Sequence, residues 1–264
     1  MGEHEVRPYG DMITASIRPT AMDILQFPLM ESPTCSHGIF TRHGGVSPGP
    51  WDSLNVGYQV GDRTDNVAAN RERIKKKLGL AQLVGVCQVH GNRVLIVESA
   101  TAAGSEAEGY DALITNVPGV GLLIQQADCQ AVLLLDPVRR AVGIAHAGWR
   151  GSVANIIART VAAMTAAFGT RPADLLAGVS PSLGPCCAEF INFRTELPES
   201  LHRYQTRPAY FDFWRLSRDQ LQAAGVPTAN IGIAGICTKC DRNYFSYRRE
   251  KHTGRCGSVI AVSL

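Results

Sequence analysis

The chain has 264 residues, of which 45% are hydrophobic and 19% charged, and 26 basic against 23 acidic side chains give a net charge of +3. This composition is typical of a globular protein with a sizeable core, and so small a charge argues against nucleic acid as a main partner. No apolar run approaches the roughly 18 residues of a membrane span, and the polar N-terminus lacks the layout of a signal peptide. We therefore expect a cytoplasmic protein with no membrane partner, whose eight cysteines are thiols, metal ligands or nucleophiles rather than a disulfide framework.

The first third of the chain predicts one helix and one hairpin after an irregular start. Residues 1–33 show no clear period and are interpreted as a loose lead-in that ends in an early strand. Residues 65–78 read as an amphipathic helix, with Asp65 as the N-cap and a stop at the following glycine. The β-rich runs 83–89 and 93–97 predict a hairpin with His90 at its tip.

The rest of the chain alternates short apolar runs with two helical stretches. The helices are predicted over 153–168, ended by Gly169, and over 211–224. Strands are predicted over 38–41, 111–115, 121–126, 131–136, 141–145, 175–179, 231–236 and 258–262. Because no linker, repeat or low-complexity tract interrupts this pattern, we predict a single domain over residues 1–264. Its predicted fold class is α/β, a sandwich with a mixed β-sheet.

Residues 125–151 bring two reactive side chains together. Cys129 precedes one apolar strand, a turn follows at Asp136-Pro137, and His146 ends the returning strand. Two strands that leave and return side by side place the cysteine and the histidine near the same end of the pair. A site at this end of the sheet is the prediction.

His90 is the third candidate, because it also lies where a predicted strand meets a loop. Two imidazoles and one thiolate suit zinc, and three protein ligands leave a fourth position open, as in catalytic sites. Two other interpretations stay open at this point. Cys129 and His146 can form a nucleophile and base without a metal, or all three residues can be ordinary thiol and loop residues.

The remaining cysteines and one aspartate carry weaker signals. Cys237 and Cys240 have the spacing of a zinc or redox pair, but a second such pair is not evident in the sequence. Cys186 and Cys187 are adjacent, which argues against a shared tetrahedral site, so all four are interpreted as structural thiols. Asp128 precedes Cys129 and is expected to move a proton or to orient a ligand.

Four arginines lie in or beside glycine-containing loops, where guanidinium groups suit the binding of an anionic substrate. They are Arg42, Arg150, Arg248 and Arg249.

Seven separated motifs together match a known family, and they occur in its order. They are TRHGGVSPGPWDSLNVG, CQVHGNRV, YDALIT, ADCQAVLLLD, AHAGWRG, SPSLGPCC and CTKCDRNYFSYRR. From about Gly38 to the C-terminus the chain resembles the laccase-domain family, also called the polyphenol oxidase or peptidoglycan editing factor family. The resemblance implies a compact α/β sandwich. It also implies that a metal is held by His90, Cys129 and His146.

The resemblance further implies a zinc-dependent purine nucleoside phosphorylase that also deaminates adenosine. Its expected partners are phosphate and adenosine, inosine, guanosine or methylthioadenosine. Arg249 corresponds to the arginine that the family uses for substrate or phosphate contact, and Arg42 and Asn55 match its N-terminal motifs. We therefore predict catalytic roles for Asp128, Arg249 and Arg42, and substrate contacts for Arg42, Asn55 and Arg249. Two other functions come with the same family, copper-dependent phenol oxidation and the editing of peptidoglycan precursors by an amidase.

Overall fold

Two six-stranded sheets packed against each other form the centre of the protein in a computed structural model that describes residues 16–18, 22–99 and 106–264. In chain order the strands are β1 Ser16–Arg18, β2 Ile24–Gln26, β3 Cys35–Phe40, β4 Gln82–Val84, β5 Val86–Cys87, β6 Val94–Ile96, β7 Ala107–Glu108, β8 Ala112–Thr115, β9 Val120–Gln126, β10 Gln130–Asp136, β11 Ala141–Ala147, β12 Leu176–Val179, β13 Gln205–Arg207, β14 Tyr210–Phe211, β15 Ile231–Ile233 and β16 Cys256–Val262. The α-helices are α1 Thr64–Lys77, α2 Trp149–Val153, α3 Ile156–Phe168, α4 Phe193–Glu196, α5 Phe213–Ala223 and α6 Tyr247–Glu250. Short 3₁₀ helices cover Pro28–Met30, Gly49–Trp51, Tyr58–Val60, Pro172–Asp174, Glu199–Tyr204 and Thr228–Asn230.

Both large sheets are mixed, which confirms the predicted fold class. The first has the order β1-β2-β3-β16-β9-β4 and the second the order β15-β12-β10-β11-β8-β6. β4 runs parallel to β9, and β12 and β8 run parallel to β15 and β6, whereas the other pairs are antiparallel. The sequence predicted one mixed sheet and the structure has two, because alternating apolar runs reveal strands but not the sheet that each strand joins.

The strands at the centre of the second sheet are buried on both faces, which explains their uninterrupted apolar sequences. In β10, Leu133 packs into the core between the sheets, and its neighbours Val132 and Leu134 pack against helices α3 and α5 on the other side. Strands held this firmly give a rigid edge on which a site can be built. Among the described residues no helix is both long and apolar enough to span a membrane.

The predicted lead-in is part of the core wherever the structure describes it. Leu25, Phe27 and Met30 are fully buried, and β2 pairs with β3. The Phe27 ring lies so close to Gly178 that a Cβ there would meet it at 2.4 Å. The interpretation of residues 22–33 as loose is therefore wrong, while residues 1–15 and 19–21 lie outside the described part of the chain.

The predicted hairpin around His90 is also wrong. β4 pairs with β9 in the first sheet, β5 pairs with β7, and β6 pairs with β8 in the second sheet. The chain crosses between the two sheets at this point, so His90 lies in a crossover loop and has a left-handed backbone with φ of 61°. Alternating β-rich runs with a turn between them predict strands correctly, but partners in other parts of the chain can override the local pairing.

Two of the three predicted helices, α1 and α3, differ from the prediction mainly at their N-terminal ends. Asp65 is not the N-cap of α1 but an acidic residue in its first turn. A carboxylate at that position interacts favourably with the positive end of the helix dipole. Gly169 ends α3 as predicted, with the left-handed φ of 68° that a glycine adopts at low cost. The predicted helix from residue 153 is interrupted at Asn155, which has φ of 54° and separates α2 from α3.

We expect Asn155→Ala to lower the free energy of unfolding by about 1–2 kcal/mol. The Asn155 side chain accepts a hydrogen bond from the Ala158 amide at 3.2 Å, and alanine loses both this cap and the tolerance for a left-handed backbone. Asn155→Gly is the matched control, with a cost of only a few tenths of a kcal/mol. Urea unfolding measures both, and equal costs for the two variants would contradict this interpretation.

Candidate active site

The paired strands β10 and β11 bring Cys129 and His146 together. Ala131 is opposite His146 in the antiparallel register, so Cys129, two residues earlier, lies just beyond that end of the pair. His90 reaches the same place from its crossover loop, and its ring lies 4.8 Å from that of His146 at 75°. The ligand atoms of the three residues all lie within 4.8 Å of one another. The sequence predicted this grouping, although His90 arrives by a different route.

Asp111 holds two of these residues and was missed in the sequence. Its Oδ1 accepts hydrogen bonds from His146 Nδ1 at 2.9 Å and from the His90 amide at 2.8 Å. Its Oδ2 accepts from the Gly91 amide at 2.6 Å, which holds the left-handed loop in place. Because Nδ1 of His146 donates to a carboxylate, Nε2 is left as the nitrogen that faces a ligand. The only sequence signal for Asp111 was its place in the motif YDALIT.

Gly148 leaves the space in which the three side chains meet. A Cβ at this position would lie 2.9 Å from His90 Cδ2 and 3.0 Å from Cys129 Sγ. Either distance is shorter than atoms in contact allow, so any larger residue would push these side chains apart. The glycine in the motif AHAGWRG is therefore explained by packing against the site.

The charges of the site favour ionisation of the thiol. Burial disfavours the thiolate, but the charge on His146 and hydrogen bonds from both imidazoles lower the pKa of Cys129 to about 6. Burial likewise opposes the imidazolium, yet the Cys129 thiolate and Asp111 raise the pKa of His146 to about 9. In the absence of a metal, these interactions favour a thiolate on Cys129 and an imidazolium on His146. A metal that binds His146 must displace its proton.

Zinc fits this donor set. The set consists of one ready thiolate, one buried imidazole whose tautomer is fixed by Asp111, and one exposed imidazole that can turn toward an ion. Copper also accepts imidazole and thiolate ligands. The arrangement leaves room for a substrate atom beside the three ligands because Gly148 contributes no side chain.

Asp128 lies beside the three ligands and ties two other loops to them. Its Oδ1 accepts a hydrogen bond from Thr238 Oγ1 at 2.7 Å, and its Oδ2 accepts from the Arg248 amide at 2.5 Å. Its own carbonyl accepts from the Leu183 amide at 2.8 Å. The carboxylate therefore has a clear positioning role, and it lines the cavity described below.

Arg249 and Arg42 face other parts of the protein. The Arg249 guanidinium donates to the carbonyls of Thr238 at 2.6 Å and Tyr244 at 2.7 Å, among others. Arg42 pairs with Glu250 at 3.0 Å and stacks on the ring of a buried phenylalanine. Neither arginine is among the residues that line the cavity. Both arginines hold the C-terminal loops in this structure, and the catalytic role and substrate contact predicted for them stay predictions.

Asn55 is fully buried and lies one layer behind the cavity. Its Oδ1 accepts hydrogen bonds from the amides of Gly57 at 3.0 Å and Arg255 at 2.9 Å. Its Nδ2 donates to Asp62 at 2.9 Å. Asn55 thereby fixes the backbone of Arg255, a cavity residue that the sequence reading did not single out.

A cavity of about 760 Å³ opens above the three ligands. One part of its wall is aromatic, and there the Phe190 ring contacts those of Trp149 and Phe213. Charged side chains of both signs also line the cavity, and its carboxylates are Asp128, Glu189 and Glu196. The cations that line it are Arg248, Lys251 and Arg255.

The cysteines interpreted as separate structural thiols form a second group. The Sγ atoms of Cys186, Cys187, Cys237 and Cys240 all lie within 4.8 Å of one another. The interpretation that Cys237 and Cys240 lack a partner pair is therefore wrong, because the second pair lies about fifty residues earlier and only the fold brings it close. Cys256 is buried elsewhere and accepts a hydrogen bond from the Phe245 amide at 3.4 Å.

Comparison with known proteins decides the family. A family model described as multi-copper polyphenol oxidoreductase laccase matches residues 36–263. The chain belongs to this family. The predicted resemblance is thereby confirmed.

Several relatives of this chain carry a more specific name. The chain is 35% identical to the purine nucleoside phosphorylase YlmD of Geobacillus stearothermophilus, over 85% of this chain and 88% of the relative. It is also 35% identical to the purine nucleoside phosphorylase YfiH of Escherichia coli, over 83% of this chain and 90% of the relative. The crystal structure of the Geobacillus YlmD covers 96% of this chain and all of its own, with a TM-score of 0.85 and 32% identity. A hypothetical protein YfiH from Bacillus licheniformis has the same TM-score at 30% identity and covers 94% of this chain and 99% of its own.

Proposed function

We propose that this protein is a zinc-dependent purine nucleoside phosphorylase that cleaves adenosine, inosine, guanosine and methylthioadenosine with phosphate and also deaminates adenosine. One observation carries the proposal. A His-Cys-His ligand set lies in a cavity whose walls offer both aromatic rings and positive charges. A purine nucleoside and phosphate need such surfaces together. The names of the relatives support the purine nucleoside phosphorylase part of the proposal.

The aromatic wall suits the purine. Rings of Trp149 and Phe190 lie 6.3 Å apart and Phe190 and Phe213 lie 5.2 Å apart, so the wall is a packed unit rather than a set of separate side chains. Stacking a base on such a surface contributes about 1–3 kcal/mol for each base. The same wall accepts adenine, guanine and hypoxanthine, because every purine has a similar π face.

The cationic wall suits phosphate. Arg255 is half-buried, and its Nη1 donates to the carbonyls of Thr253 and Gly254 at 3.0 and 3.1 Å, so its position is fixed. Burial lowers the pKa of Arg255, but the nearby Cys129 and Asp128 charges oppose that shift and keep its charge beside the metal ligands. In phosphorolysis a phosphate oxygen bonds to the sugar C1′, the bond from C1′ to the purine nitrogen breaks, and the base leaves with its electron pair. Fixed cations hold the phosphate where this attack requires it.

We assign the proton transfers of deamination to Asp128. In that reaction water adds to the purine carbon that bears the amino group, and ammonia leaves. Asp128 lines the cavity next to Cys129, and its position is fixed by Thr238 and Arg248. When bound by His90, Cys129 and His146, a zinc ion would supply Lewis acidity for this reaction.

The ligands of this site suit a single zinc ion better than the several copper ions of a multi-copper oxidase. Multi-copper oxidation needs several clusters of histidines, and the chain has seven histidines in all. In the part of the chain that the structure describes, the His-Cys-His group is the only metal-ligand group that contains a histidine. The copper oxidase alternative is therefore not favoured by the ligands present.

We expect Arg255→Met to raise the KM for phosphate by about 10- to 100-fold, the effect of losing a charge-assisted hydrogen bond. Arg139→Met, at the exposed β10–β11 turn, removes the same charge and should leave the KM unchanged. Arg249→Met should instead lower the unfolding midpoint, because it removes the donors to several loop carbonyls. Steady-state kinetics with inosine at varied phosphate measures the KM of each variant. A selective rise of the KM for phosphate in Arg249→Met would support the substrate contact predicted for Arg249.

A substrate screen tests the proposed function as a whole. Purified protein is given nucleosides with phosphate, phenolic substrates with copper, or a muramyl peptide precursor. We expect phosphate-dependent release of free purine and ribose 1-phosphate, together with ammonia from adenosine. Faster release of an L-amino acid from the muramyl precursor, or oxidation of phenols as the main activity, would overturn the proposal.

A further inference from the structure

We propose that Cys186, Cys187, Cys237 and Cys240 bind a second zinc ion, which is structural and separate from the catalytic site. The four residues come from two loops about fifty residues apart in sequence. The His-Cys-His ligands are not part of this group. The proposal does not depend on the reaction that the enzyme catalyses.

The spacing of the sulfur atoms carries the inference. Zinc–sulfur bonds of about 2.3 Å in a tetrahedral site place the sulfurs about 3.8 Å apart. Cys240 Sγ lies 3.8 Å from Cys186 Sγ and 3.5 Å from Cys187 Sγ, and all four sulfurs lie within 4.8 Å of one another. Four thiolates in this arrangement are the ligand set of closed structural zinc sites.

Each cysteine pair lies in a tight backbone turn. The amides of Cys187 and Ala188 both donate to the Gly184 carbonyl, at 2.8 and 2.9 Å, which forms a tight turn. In the second loop the amides of Cys240 and Asp241 donate to the Cys237 carbonyl at 3.1 and 2.8 Å. Each loop thus turns around its own pair of sulfurs.

The surroundings suit the charge of the filled site. One zinc ion with four thiolates carries a net charge of −2, and three arginines are anchored on the backbone of the two loops. Arg207 donates to the Cys186 carbonyl at 2.9 Å, Arg248 to the Cys187 carbonyl at 3.3 Å and Arg249 to the Lys239 carbonyl at 3.1 Å. The Gly184 amide also donates to Cys237 Sγ at 3.3 Å, a contact that stabilises a ligating thiolate.

The position of the site suggests its purpose. Ala188, Glu189 and Phe190 follow the first pair and line the cavity, as does Arg248 beyond the second pair. A zinc ion that joins the two loops would hold both sides of this wall together. This role is structural, since the four thiolates leave no open position for a substrate.

Zinc counts in matched variants test the proposal. Wild-type protein, purified anaerobically and washed with a mild chelator, should hold two zinc ions per chain, one for each ligand group. Cys240→Ser removes an exposed ligand and should hold one zinc ion per chain. Cys129→Ala should also hold one zinc ion, and the double variant should hold none. Cys87→Ser is the control, because Cys87 is half-buried and belongs to neither group, and it should keep both.

Two further measurements keep the test decisive if Cys240→Ser does not fold. Cobalt-substituted wild-type protein should show the strong sulfur-to-metal absorption of a four-thiolate site, and Cys186→Ser should reduce it towards the weaker absorption that the single Cys129 thiolate contributes. The unfolding midpoint should fall with loss of this ion, while the zinc of the catalytic site remains. An unchanged zinc count in both Cys240→Ser and Cys186→Ser would overturn the proposal. Iron in place of zinc, or disulfides among these four cysteines in the anaerobic protein, would also overturn it.

Discussion

Cys129→Ala should lose the zinc of the active site and at least about 10³-fold in kcat/KM for phosphorolysis of inosine. Cys129 is the only thiol among the three predicted ligands, and its pKa is lowered to about 6. It is therefore the only donor of the three that can carry a negative charge at neutral pH. Without it two imidazoles remain, one of them exposed. Elemental analysis and phosphate-dependent release of hypoxanthine measure the two effects.

Cys87→Ala is the matched control for this variant. Cys87 ends strand β5, is half-buried and belongs to neither metal-ligand group. It should keep full activity and full zinc. Full activity in Cys129→Ala would refute zinc ligation, and a loss of activity with zinc retained would favour the nucleophile interpretation of Cys129.

Asp111→Asn should weaken zinc binding by about 10- to 100-fold, with a parallel loss of activity at limiting zinc. Both carboxylate oxygens of Asp111 accept hydrogen bonds, from His146 and His90 on one and from Gly91 on the other. An asparagine has only one oxygen, so its NH₂ group must face an N–H donor in either orientation. Either His146 or the His90 loop is then displaced. Competition with a zinc chelator of known affinity measures the change.

Asp136→Asn is the control for a buried aspartate. Asp136 is fully buried, and its Oδ1 accepts from the amides of Val138 and Arg139 at 2.9 Å. Its Oδ2 has no hydrogen-bond partner among the described residues, so the NH₂ group of an asparagine there would face no N–H donor. Zinc affinity should be unchanged in this variant. Equal losses in both variants would show that Asp111 acts on stability rather than on the ligands.

The sequence was most informative where neighbours in the chain are also neighbours in space. The turn between two apolar runs predicted the pairing of β10 and β11, and with it the meeting of Cys129 and His146. Both faces of these strands are buried, so the apolar pattern was strong. Gly169 and the end of α3 were equally local signals, and the structure confirms them.

The features that were missed or given the wrong strand pairing depend on contacts between distant segments. His90 lies at a crossover between two sheets, and local alternation of residues has no information on which sheet a strand joins. Asp111 acts through the backbone of a loop that is twenty residues away in sequence. The second group of cysteines was hidden for the same reason, because each pair alone is half of a site.

The arginines show a different limit. The motif match singled out Arg249, whose guanidinium donates to loop carbonyls and does not line the cavity. Arg248 and Arg255 also donate to loop carbonyls, but both line the cavity. A sequence shows that an arginine is present near a motif. It does not show whether the side chain turns toward the cavity or into the loop that supports it.

Removal and return of the metal tests whether zinc at His90, Cys129 and His146 is required for nucleoside cleavage. Wild-type protein is stripped of metal and titrated with zinc or copper, and ribose 1-phosphate formation from inosine and phosphate is followed at each step. We predict that activity is lost with the metal, returns with zinc and is not restored in Cys129→Ala at any zinc concentration. Undiminished cleavage by the metal-free protein would contradict the proposal.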